Sequence, residues 1–128
     1  MKSKIYIQFP IKAISKDNEK IRNRQGFVFT TQKYKKFEQQ VKFYAMAQYK
    51  GEVLSGDIEV NITFHFTSKV HCDLFNLPKS VCDALEGICY KNDKQIKRGT
   101  VEIKIDKELD TDCFEVEIKD LLTSNQRR

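Results

Sequence analysis

Ile58, Val60, Ile62, Phe64 and Phe66 alternate with polar residues along one uninterrupted stretch of the chain. A side-chain period of two describes a β-strand with one buried and one solvated face. Three further stretches repeat the pattern: Ile5, Ile7 and Phe9 ahead of Pro10; Val101, Ile103 and Ile105; and Phe114, Val116 and Ile118. Strands of this kind build a sheet that is apolar on one side, and that side has to be covered.

Two segments supply the cover. From Gln32 to about Lys50, Tyr34, Phe37, Val41, Tyr44, Ala45 and Tyr49 recur at helical spacing, and Lys33, Lys35, Lys36 and Lys42 fill the other faces. Thr30 and Thr31, after a short strand Phe27-Val28-Phe29, are its N-cap candidates, and Gly51 is its expected stop. Leu77, Val81, Ala84, Leu85 and Ile88 make a second stripe, with Asn76 as the expected cap and Pro78 acceptable only in the first turn. Asn76, Lys79 and Asp83 fall on a different face of that helix, within roughly 60° of one another. Asp73 stands just ahead, in a lead-in expected to continue extended from the strand. The expectation is a single α+β domain over residues 1–128, a mixed sheet of about four main strands with two principal helices on it.

Charge is distributed unevenly. Residues 1–50 carry twelve Lys and Arg against three acids, and residues 51–128 carry eleven against fifteen, so a front of +9 precedes a rear of −4. Residues 11–26 are polar and basic and read as a long mobile loop, and the polar tail from Thr123 reads as frayed. Lys12, Lys16, Lys20, Arg22 and Arg24 of the loop, with the helix lysines Lys33, Lys35 and Lys36, are candidates for contacts with DNA phosphates. The same asymmetry is also what ordinary solvated faces produce.

Several classes are excluded at motif level. The chain holds no Gly-x-Gly-x-x-Gly, Walker loop, His-Glu-x-x-His or Gly-x-Ser-x-Gly, and no internal repeat. No run of 18 apolar residues is present, so no membrane-spanning helix is expected. Met1 to Pro10 lacks the apolar core of a signal peptide, which points to the cytoplasm and to reduced thiols at Cys72, Cys82, Cys89 and Cys113. Those cysteines, with His65 and His71, match no zinc spacing.

From Asp73 to Gln95 the chain reads Asp-x-x-Asn-x-x-Lys-x-x-x-Asp-Ala-Leu-x-Gly, then Tyr-x-x-Asp-x-Gln. This resembles the core signature of the RusA family of Holliday-junction resolvases, small homodimeric, magnesium-dependent endonucleases of bacteria and their phages. Upstream, Gly26-Phe27-Val28-Phe29-Thr30 followed by Tyr34-Lys35-Lys36-Phe37-Glu38 resembles the family's strand-then-helix front. The resemblance implies Asp73 and Asp93 as catalytic carboxylates and metal ligands, Lys79 as the essential lysine, and Asn76 and Gln95 as matching motif positions. It implies Mg²⁺, with Mn²⁺ able to substitute, branched DNA as partner, and a homodimer that nicks a two-fold junction symmetrically.

Two departures bear on that chemistry. Phe75 stands where the family carries its second Asp, and Asn92 where it carries the first acid of an Asp-Asp pair. The arginine-rich run that often precedes the first Asp is reduced to Lys69-Val70-His71-Cys72, which leaves Lys69 as a further DNA-binding candidate. Clustered carboxylates supply the hard oxygens that Mg²⁺ requires, and a lysine ammonium offsets charge growing on phosphate oxygens. A phenyl ring ligates nothing. Phe75 therefore reads as a core filler or as an aromatic free to stack on an unpaired base, and Asp83 as a structural helix-face acid. Two rivals stand beside the nuclease: a weakened relative that binds branched DNA without cutting it, and a basic domain that binds other proteins.

Overall fold

A computed structural model describes residues 4–15, 20–69 and 73–121. Strand β1 (Lys4–Phe9) leads to a short antiparallel pair, β2 (Lys20–Arg22) and β3 (Val28–Thr30), followed by helix α1 (Gln32–Gln48) and strand β4 (Ile58–Phe66). Helix α2 (Leu77–Leu85), a single 3-10 turn (Asp93–Gln95), and strands β5 (Ile96–Ile105) and β6 (Cys113–Asp120) complete the order. The main sheet runs β1-β6-β4-β5; β6 is antiparallel to both its neighbours, and β4 and β5 are parallel. A parallel pair requires a crossover, and α2 lies in it. The expected α+β domain is the one observed.

The alternating residues face one core. Ile5, Ile7 and Phe9, Ile58 to Phe66 at every second position, and Phe114, Val116 and Ile118 are buried against Tyr34, Phe37, Val41 and Ala45 of α1 and Leu77, Val81, Ala84 and Leu85 of α2. Phe114 is the centre of an aromatic group: it stacks on Phe9 at 4.6 Å between ring centroids and lies 5.6 Å from Phe64 and 6.1 Å from Phe37. The opposite face is a lattice of opposed charges. Lys4 meets Glu117 at 2.9 Å, and Asn61 bridges Glu59 and Glu117. The Asn61 hydrogen bond, then the Arg98 guanidinium, hold the Glu59 carboxyl below its ordinary range. No helix among the described residues is long and apolar enough to cross a membrane.

β1 is an edge strand, and one side chain occupies that edge. The Gln48 amide accepts from the Gln8 backbone N–H at 2.9 Å and donates to the Gln8 carbonyl at 2.7 Å, pairing with the backbone as a neighbouring strand would. On the other side of the sheet β5 is longer than its sequence pattern suggests. Seven of its residues from Lys97 onward are exposed, four of them in one run from Lys97 to Thr100 that breaks the alternation, and Gly99 sits where an added Cβ would lie 1.9 Å from the Val60 carbonyl oxygen. Close backbone approach, rather than a turn, is what that glycine permits.

Four local expectations are corrected. The 11–26 segment is not all loop, because residues 20–30 form the β2–β3 hairpin. Asn23 closes it by accepting from the N–H groups of Gln25 and Phe27, and Gly26 takes φ +87°. Helix α1 is capped by Thr31 as expected, but it ends through an extended Tyr49 rather than at Gly51. Asn76 makes no side-chain cap bond, being itself in the right-handed helical region. The lead-in to α2 is a turn rather than an extended strand: the Asn76 N–H donates to the Asp73 carbonyl at 3.0 Å. Lys16, His71, Cys72 and the tail from Thr123 lie outside the described residues.

Candidate nuclease site

Helix α2 ends in a tight reversal that carries acidic side chains back towards each other. Gly87, at φ +85°, donates its N–H to the Tyr90 carbonyl at 2.7 Å, and the Tyr90 hydroxyl donates to the Cys82 carbonyl at 2.6 Å. Only glycine takes that backbone conformation cheaply, which gives the Gly of the Asp-Ala-Leu-x-Gly run a structural reason. Tyr90 is fully buried and so anchors the reversal in the core.

The reversal places Asp93 beside α2. Asp83, Glu86 and Asp93 each offer a carboxylate oxygen, and these atoms all lie within 4.8 Å of one another. Glu86 Oε1 also accepts from the Asp93 backbone N–H at 2.9 Å, tying the two acids together. Asp83 and Glu86 are half-buried and Asp93 is exposed, so the group opens to solvent on one side. Three carboxylates at this spacing are hard donors, and they fit a small divalent cation that retains several of its waters. Glu86 is not among the candidates that the sequence offers, and Asp83, read there as a structural helix-face acid, is brought into the same group. The available signal was the i, i+3 spacing of the two acids on α2 just ahead of a reversing glycine.

The other motif positions separate into holders and exposed groups. Asn92 and Gln95 are holders. Asn92 Oδ1 accepts from the Lys94 N–H at 2.8 Å, and Gln95 Oε1 accepts from the N–H groups of Lys91 and Asn92, both at 2.8 Å. Gln95 Nε2 then donates to the carbonyls of Leu54 and Gly56 at 2.9 and 2.8 Å, fastening the Asp93 turn to the loop ahead of β4. Asn92 is thus occupied as a cap. Lys79 is exposed on α2, one helical turn before Asp83. Asp73 is exposed in the turn ahead of α2; it is not a member of the carboxylate group, and α2, about 13 Å long, separates it from Asp93 along the chain. Phe75 is no core filler: it is 85% exposed. Of the cysteines on this side Cys82 is half-buried and Cys89 buried, and desolvation pushes their thiols up to about 11 and about 12, away from the thiolate that a nucleophile needs.

The basic candidates collect on the helical side. Lys12, Lys33 and Lys36 line one groove of about 390 Å³ with Phe37 and Gln40. Lys12 also lies 3.8 Å from Asp112, whose other oxygen accepts the Thr67 N–H. Lys35 and Lys69 are exposed, as are Arg22 and Arg24 at the hairpin; the Lys20 side chain and all of Lys16 are outside the described part. A larger hollow of about 570 Å³, between Tyr44, Gln48 and the Phe9 end of the sheet, has Glu115 on its wall and no Lys or Arg. It does not suit a polyanion.

A search of curated proteins finds no match to the chain. A family model described as endodeoxyribonuclease RusA matches residues 10–119, which takes in the basic segment, both helices, the Asp73–Gln95 signature and nearly all of β6. The chain belongs to the RusA endodeoxyribonuclease family.

Proposed function

We propose that this protein is a structure-selective endonuclease that grips branched DNA, four-way junctions above all, and hydrolyses its phosphodiester bonds with Mg²⁺ or Mn²⁺ in the cytoplasm. The observation that carries the reading is the return of Asp93 onto α2 beside Asp83 and Glu86, inside the segment that matches the family. Asp93, with Asp83 and Glu86 beside it, would hold the cation; Asp73, which the resemblance makes a further ligand, stands outside that group, in the turn at the other end of α2. A cation held there supplies charge to stabilise phosphate oxygens and to lower the pKa of an attacking water.

The chain's own groups do the rest. Lys12, Lys33 and Lys36 hold phosphates along their groove, with Arg22, Arg24, Lys35 and Lys69 extending the grip. Lys16 and Lys20 belong to the same basic segment and add to it. Lys79, one turn from Asp83, offsets negative charge on the phosphate being cut. The Gln95 and Asn92 hydrogen bonds keep Asp93 in place without touching DNA.

The test is junction binding against salt. Affinity for a four-way junction is expected to fall with a log–log slope of magnitude at least about 4, and junction is expected to bind more tightly than linear duplex. A flat response, or equal affinity for the two, defeats the reading. Symmetric nicking of a two-fold junction needs two sites, so we propose a homodimer. Analytical ultracentrifugation at tens of micromolar is expected to give about twice the 15.0 kDa chain mass; a monomer with and without DNA removes the paired-nick mechanism.

A second reading has one observation in its favour. Phe75, 85% exposed, stands at the position to which the motif resemblance assigns a carboxylate. On that reading the chain grips branched DNA and cuts it slowly or not at all.

A further inference from the structure

Among the described residues, Phe75 is the most exposed large apolar side chain. Its local structure is ordered: the Asn76 N–H closes the turn onto the Asp73 carbonyl, Leu74 is half-buried, and Leu77 is fully buried at the start of α2. The turn thus commits its other apolar side chains inward and leaves the ring out. Phe75 shares its exposed stretch with Asp73, two residues before, and Lys79, four residues after.

The stretch is joined to the basic groove. Ser80 is buried, and its hydroxyl donates to the Ile14 carbonyl at 2.7 Å, fixing the first turns of α2 to the segment that carries Lys12. Ile14 also stands on the wall of the groove that Lys12, Lys33 and Lys36 line, so DNA seated there and cut near Lys79 would run along the first turns of α2, ahead of which the ring projects. A phenyl ring gains nothing from a phosphate, but its flat face gains by stacking on a base. Bases inside a linear duplex are covered on both faces by their neighbours. At a branch point whose arms are held apart the helical stack is interrupted, and a base face is open.

We propose that Phe75 is a stacking platform for a nucleobase exposed at the branch point, and that it selects branched over linear DNA. This inference rests on the branched-DNA reading above and names the element that does the discriminating. The ring adds no charge, so its contribution is separable from the lysine grip by salt.

The experiment compares wild type with Phe75→Ala, Phe75→Tyr and Phe75→Leu. It measures affinity for a four-way junction and for a linear duplex of equal length, and the fluorescence of 2-aminopurine placed at the junction's branch point. Phe75→Ala is expected to lose on the order of tenfold in the junction-over-duplex ratio with the salt slope unaltered. Phe75→Tyr should keep the ratio and Phe75→Leu should lose it, because stacking needs an aromatic face. Wild-type binding should change the 2-aminopurine signal, and Phe75→Ala should not. An unaltered ratio in Phe75→Ala, or a Phe75→Leu as selective as Phe75→Tyr, overturns the proposal. So does a Phe75→Ala protein whose only change is weaker self-association, which would mean that a second copy of the chain covers the ring. Failure of the underlying reading looks different: wild type itself then binds junction and duplex equally, and the stacking role falls with it.

Discussion

Asp93→Asn is expected to lower junction cleavage by at least about 100-fold, the scale of a removed electrostatic group at a reacting centre, while junction affinity stays nearly unchanged. The exchange keeps the side chain's size and shape, and the bonds that build the turn use the Asp93 backbone N–H and the side chains of Asn92 and Gln95. Folding is therefore preserved and only the carboxylate charge is lost. The lysines that line the groove do not involve Asp93. Single-turnover cleavage with Mg²⁺ and with Mn²⁺, alongside an electrophoretic binding titration, separates the two effects. A variant that cuts as fast as its parent removes Asp93 from the chemistry.

Phe75→Asp is expected to act in the opposite direction. It puts a carboxylate at the position to which the motif resemblance assigns one, two residues from Asp73, and both positions are exposed while Leu74 between them is half-buried. On the family plan, in which Asp73 and its neighbour share an ion, the added carboxylate should speed cleavage by a factor on the order of 10 to 1000; an unaltered rate leaves the cation to Asp83, Glu86 and Asp93 alone. Because the ring is 85% exposed, its loss leaves no cavity, and the change in stability should stay within about 0.5 kcal/mol. Circular dichroism checks that point before any rate is read. The same substitution removes the proposed base platform, so the faster enzyme should discriminate less between junction and duplex. If the folded variant and its parent are both inert with either metal, the catalytic assignment is lost and the binding-only reading stands.

How much of this was legible depended on whether a segment has two different faces. β1, β4 and β6 alternate buried and less buried residues along their length, and the helical stripes of Tyr34 to Ala45 and Leu77 to Leu85 are the ones that close the core. Those elements could be read directly. β5 is an edge strand with most of its residues in solvent, so its first half carries no period to read. β2 has three residues and depends on the Asn23 and Gly26 turn chemistry, which a run of basic residues conceals. At the site, the resemblance to the family's motif pointed to Asp73, Lys79 and Asp93, but the meeting of Asp93 with Asp83 and Glu86 depends on how the chain reverses after α2. That is tertiary information. The turn at Asp73 was misread for a related reason: the expected extended lead-in ignored a three-residue hydrogen bond that no side chain announces.

The Gln48 amide that pairs with Gln8 has a consequence for how copies of this chain can aggregate. A sheet with two open edges can add strands without limit, since each new member exposes the edge that receives the next. Here an incoming strand at β1 must first displace two bonds, each worth about 1 kcal/mol net, while among the described residues no strand covers the outer edge of β5. Joining two β5 edges uses up the open side of both copies. Growth by that route stops at a pair, and a filament would have to break the Gln48 pairing in every copy it recruits.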